Sequence, residues 1–131
     1  MIKRWAWINA VLVIFASFIL SQSIKPGKLN KDRLLSSFPG FQIHFQHYQP
    51  QPEVIQDIKA WNEYVRIEIY LRPDCDLNAE LAAAFAKTLE LSENPYIEST
   101  YFRLPSDLAQ SEKFFSGKNI TKSPTFIIYD D

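Results

Sequence analysis

An α/β fold is predicted by three observations. Strand-like and helix-like runs alternate along the chain, Pro or Gly punctuates most of the junctions between them, and 47% of the residues are hydrophobic, enough to build a packed core. At 131 residues the chain accommodates one domain and a targeting segment. The expected division is 1–24 as a signal peptide or membrane anchor, 25–40 as a linker and 41–131 as the α/β domain.

The leading segment places Lys3 and Arg4 before a mostly apolar run from Trp5 to Leu20, followed by Ser21 and Ser23. A basic start and an apolar stretch are the layout of an export signal or a short anchor. The run is long for a cleaved signal, whose apolar part spans about 7 to 15 residues. It is short for a spanning helix of about 20. Three readings stand: an uncleaved anchor with Trp5 and Trp7 at the membrane interface, a cleaved signal, and a buried helix. The first two put the remaining chain on the exported, extracytoplasmic or periplasmic side, with the membrane met through residues 5–20.

Each later element has its own signal. Between Lys25 and Gly40, Pro26, Gly27, Pro39 and Gly40 mark both ends of a linker with a short helical turn near Lys31 to Ser36. Phe41, Ile43 and Phe45 alternate with Gln42, His44 and Gln46, which predicts a half-buried strand over 41–48. Val54, Ile55, Ile58 and Trp61 recur at helical spacing over 53–64, behind Pro52. Val65 to Leu71 is rich in β-branched and aromatic residues and predicts a strand. The next helix shows a stripe of Leu77, Leu81, Ala84, Phe85, Thr88 and Leu89, with Asp76 as its expected N-cap. Tyr96 to Leu104 predicts a third strand, Ser106 to Phe115 a short helix ended by Gly117, and Thr125 to Tyr129 a last strand. This alternation predicts parallel crossovers.

Composition excludes several functions. With 14 basic and 15 acidic residues and no concentrated cationic stretch, nucleic acid is not an expected partner. The single cysteine, Cys75, rules out a disulfide within the chain and a zinc site of several thiolates. His44 and His47, three apart on the expected strand, point to opposite faces and do not share an ion, so no metal is expected. No cofactor is expected either, for the chain has only three Gly and no phosphate-cradling loop.

Two patterns carry chemistry. The strand ending at Leu71 runs through Arg72-Pro73-Asp74-Cys75-Asp76-Leu77-Asn78 into a helix, and Lys122-Ser123-Pro124-Thr125 opens the last apolar strand. Together they resemble the thioredoxin superfamily, in which a reactive Cys at a helix start faces a cis-proline often followed by Thr. The resemblance covers Phe41 to Tyr129 and implies a thioredoxin-like fold, incomplete at its C-terminus because the usual closing strand and helix do not follow Thr125 to Tyr129: either a minimal variant whose last strand leaves an open edge, or a truncated sequence. It makes Cys75 the candidate catalytic residue, with Ser123, Pro124, Thr125, Asp76 and Asn78 as candidate substrate- or partner-binding residues. Partial positive charge at the helix start favours a thiolate at Cys75, and the Asp74 and Asp76 carboxylates oppose it, so activation is expected to be modest.

The family's dithiol reads Cys-x-x-Cys, whereas here Asn78 stands at the second position. A mixed disulfide at Cys75 then has no internal thiol to resolve it. Three functions remain: a degenerate thioredoxin-like protein that binds a client or partner near Cys75 and Pro124, a monothiol exchange enzyme served by an external thiol, and, by analogy with thioredoxin-like parts of secretion and conjugation machines, a structural component of an envelope complex. An open edge at Phe126 to Ile128 also makes strand pairing with a partner an expectation.

Overall fold

The run Val65, Ile67, Ile69 and Leu71, the most consistent strand signal in the chain, lies in the middle of the sheet. The computed structural model describes residues 25–130. Among these, the elements run β1 (Gly27–Leu29), α1 (Lys31–Ser37), α2 (Pro39–His47), α3 (Pro52–Ala60), β2 (Val65–Leu71), α4 (Asp76–Ser92), β3 (Ile97–Arg103), α5 (Ser111–Phe114, after a 3-10 turn at Leu108–Gln110) and β4 (Thr125–Asp130). The expected signal or anchor, 1–24, lies outside the described residues. Among the described residues no helix is long and apolar enough to cross a membrane.

The architecture is mixed α/β, with strand order β1-β3-β2-β4. Strand β2 pairs in parallel with β3, Val65 opposite Ile97 and Leu71 opposite Arg103, and antiparallel with β4, Ile67 opposite Ile128 and Ile69 opposite Phe126. Strand β1 runs antiparallel to β3. The expectation of parallel crossovers throughout is therefore corrected: only the passage through α4 is one. A seven-residue strand spans about 23 Å, which the 17-residue α4 matches at about 1.5 Å per residue. The four-residue α5 rises only about 6 Å. The chain stays at the end of the sheet where β3 finished and enters β4 in the opposite sense.

The expected strand over 41–48 is a helix, α2. Alternation and helical spacing both fit Phe41 and Phe45, and Phe38 decides between them: Phe38, Phe41 and Phe45, three and four apart, are all buried, whereas Ile43 is 54% exposed. Pro39 sits in the first turn of α2, where its missing N–H is not needed. The stretch expected as a linker, 25–40, supplies β1 and α1, and its Leu29 and Leu34 join the core beside Phe38. Asn30 caps α1, its Oδ1 accepting from the Arg33 N–H at 2.7 Å.

Helix α4 buries a face other than the expected stripe. Ala79, Ala82, Ala83 and Ala86 are inside, while Leu77 and Leu81 are 57% and 44% exposed. The helix meets α2, α3 and β2 at once, and small side chains let three backbones approach a single helix. Cys75, not Asp76, is its N-cap. Helix α3 begins as its pattern implies but has no fully buried residue: of the expected stripe Ile55 and Ile58 are half-buried and Val54 and Trp61 exposed, and the helix ends at Ala60 where Trp61 turns extended.

On the opposite side of the sheet a second cluster joins Tyr70, Leu104 and Ile120 to Phe102, Phe115 and Ile127. The Tyr70 ring stacks on Phe102 at 4.8 Å and meets Phe115 edge-on at 5.1 Å. Beside it, buried Glu68 accepts from Tyr70 Oη at 2.6 Å and Tyr129 Oη at 3.1 Å, and pairs with Lys118 at 3.1 Å and Arg66 at 3.0 Å. Burial alone pushes the Glu68 carboxyl up, but hydrogen bonds from Tyr70, Lys118 and Tyr129 and the Lys118 charge hold it below the ordinary value.

The loop that carries Lys118 turns at Gly117, whose φ is +78° with open space around its Cα. Its N–H donates to the Glu112 carboxylate at 2.8 Å. Replacement by Ala meets no neighbour yet forces a side chain into left-handed backbone. Urea unfolding of Gly117→Ala is expected to show a loss of about 1 kcal/mol.

Candidate functional site

Strand β2 delivers Arg72 to the edge of the site, and Pro73 and Asp74 turn the chain so that Cys75 opens α4. The turn is closed by the Cys75 N–H donating to the Arg72 carbonyl at 2.9 Å, and α4 starts with Ala79 N–H donating to the Cys75 carbonyl at 2.9 Å. Cys75 is a free thiol, partly exposed.

Asn78, one turn into α4, is 2% exposed and organises the surroundings. Its Oδ1 accepts from the Arg72 N–H at 3.0 Å, while its Nδ2 lies 3.3 Å from Cys75 Sγ and 3.5 Å from the Ser123 carbonyl oxygen. One side-chain amide thus touches the strand end, the thiol and the loop before β4. In that loop the Ser123–Pro124 bond is cis. Thr125 Oγ1 donates to the Lys122 carbonyl at 2.6 Å. Arg72 adds a second tie, its Nε donating to Ser123 Oγ at 3.2 Å and its Nη1 to the Ser106 carbonyl at 3.3 Å.

Of the residues singled out from sequence, Asn78 touches both Cys75 and Ser123, with Pro124 and Thr125 following in the same loop. Asp76 points elsewhere: its Oδ1 lies 2.9 Å from His44 Nε2 on α2, and its side chain is 82% exposed. His44 and His47 share a helix rather than a strand, and His47 Nδ1 turns to its own Ile43 carbonyl at 2.8 Å. Among the described residues no group of three or more His, Cys, Asp or Glu is placed to hold a metal ion. A cleft of about 330 Å³ extends from this end of α4 to the α1–α2 junction, between Phe38, Pro39 and Gly40 on one wall and Pro73, Asp74 and Asp76 on the other.

Sequence reasoning missed the role of Arg72 and weighed His44 only as a metal ligand, not as the partner of Asp76. Arg72 carried a weak signal, a long cation at the end of a strand directly before the turn to Cys75. His44 carried none, because its partner is on another element. No family model matches the chain, and neither a curated protein nor a solved structure matches it.

Proposed function

We propose that this is a thioredoxin-like protein with a degenerate site, tethered to a membrane or exported by residues 1–24, that binds an extended segment of a client or partner protein at Cys75 and the Ser123–Thr125 loop. The observation that carries the reading is the single buried amide of Asn78 reaching both Cys75 Sγ and the Ser123 carbonyl. It supports a surface in which thiol and loop are held side by side. An extended segment lying along that loop has main-chain groups to bond, and its side chains have the cleft walled by Pro73, Asp74 and Asp76 at this end of α4 to enter. Asn78 occupies the place of a resolving thiol and acts as a brace.

Monothiol exchange is the second reading, favoured by the Nδ2 donor facing the sulfur. In it the Cys75 thiolate attacks a disulfide, bonds to one sulfur and expels the other as a thiolate. An external thiolate then attacks the mixed disulfide and returns Cys75 as the leaving group.

The test uses the full chain in micelles and an extended peptide whose one cysteine is activated as a disulfide with thionitrobenzoate. Binding ahead of reaction makes release of thionitrobenzoate at least about tenfold faster than from activated free cysteine, and the same peptide with Ser in place of Cys competes. Equal rates for peptide and free cysteine, without competition, overturn the binding surface. Turnover with glutathione selects the exchange reading. Peptide binding retained in Cys75→Ser without turnover selects the binding one.

A further inference from the structure

Among the described residues β4 pairs only with β2, and its outer side meets no strand. Its make-up is not that of a guarded edge. Within Thr125–Asp130 there is no Pro or Lys, and Phe126 and Ile128, on one face, are 38% and 64% exposed. Phe126 leans on Phe85 of α4, ring centroids 5.2 Å apart. Ile128 borders a cleft of about 630 Å³ with Trp61, Tyr64, Val65 and Asp130.

We infer that the occupant of this edge is β4 of a second copy of the chain, paired antiparallel about a two-fold axis through Ile127. Opposed residues of an antiparallel pair point to the same face. With Ile127 on the axis, Phe126 of each copy faces Ile128 of the other, and Thr125 faces Tyr129. The two exposed apolar residues of each copy then cover those of its mate in one continuous patch. Charge agrees: exposed Lys122, in the bend before the strand, lies at the same end of the pairing as Asp130 of the other copy, and this happens at both ends. Neighbouring two-fold registers are worse. An axis at Ile128 sets Asp130 against Phe126, and an axis at Phe126 shortens the paired stretch from Thr125–Tyr129 to Thr125–Ile127. The inference does not depend on any role for Cys75.

The test is oxidative cross-linking of the full chain in micelles, in a Cys75→Ser background. Ile127→Cys brings two thiols face to face across the axis, so a disulfide-linked dimer forms in high yield. Thr125→Cys separates them by four residues, about 13 Å, and forms no disulfide-linked dimer. Independently, Ile128→Lys, at an exposed position, lowers the mass measured by light scattering from dimer to monomer while circular dichroism is unchanged. A monomeric mass for the unmodified chain, or cross-linking of Ile127→Cys no better than that of Thr125→Cys, overturns the pairing.

Discussion

Replacing Glu68 by Ala is expected to destabilise the protein by about 3 kcal/mol in urea unfolding, at the low end of what breaking a buried charge cluster costs. Four donors converge on this carboxylate from β2, β4 and the loop carrying Lys118. Without it the Tyr70 hydroxyl, on a side chain 1% exposed, loses its acceptor in an apolar surround. Arg66 and Lys118 are about a third exposed and turn to water, which keeps the cost from the top of the range. Because the folded carboxyl sits below its ordinary value, its contribution is complete above the unfolded Glu value of about 4.3. It fades as the pH falls from there through the folded value. Stability of the unmodified chain therefore declines below about pH 4.3, and Glu68→Gln, already less stable at neutral pH, loses less over that interval. An equal decline in both contradicts the role given to Glu68.

Asn78→Cys is expected to convert a site with one free thiol into one with none after mild oxidation. Residues three apart in a helix have Cα atoms about 5 Å apart, inside the range of about 4.4 to 6.8 Å that disulfides span. The Asn78 amide nitrogen is already 3.3 Å from Cys75 Sγ. Oxidised Asn78→Cys should show no reactive thiol by alkylation and mass spectrometry, with the chain still monomeric in disulfide terms. The reduced variant should be less stable than the unmodified chain by about 1 to 3 kcal/mol, because the partly buried Arg72 N–H loses its acceptor and the Ser123 carbonyl its donor. A peptide joined to Cys75 should persist in the unmodified chain and be released by Asn78→Cys, whose added thiol attacks the adduct. Persistence in both means that position 78 is not placed to resolve Cys75.

Much of the sheet was legible in the chain because its signals are local. Val65 to Leu71, Ile97 to Arg103 and Thr125 to Asp130 are bounded by Pro or Asn and dense in β-branched and aromatic residues. Residues 25–48 were harder to read for two physical reasons. The Phe41-Ile43-Phe45 alternation satisfies strand and helix equally unless Phe38 is counted, and Pro and Gly at 26, 27, 39 and 40 mark element boundaries as readily as a linker. On α4, hydrophobicity pointed to Leu77 and Leu81, whereas crowding by three neighbours selected alanines; that preference exists only once α2, α3 and β2 are in place. At the site, the nearness of the start of α4 to the Ser123–Pro124 loop was expected from resemblance, not from spacing, and the link between them runs through Asn78. The brace of Asn78, the reach of Arg72 and the contact of His44 with Asp76 depend on tertiary geometry and left almost no mark in the sequence.

Amide hydrogen exchange of the full chain, with and without a saturating extended peptide, tests the central claim most directly. If thiol and loop form one binding surface, peptide slows exchange over Cys75 to Asn78 and over Ser123 and Thr125, and leaves β1 unchanged. Protection confined to other elements, or none at saturation, contradicts it.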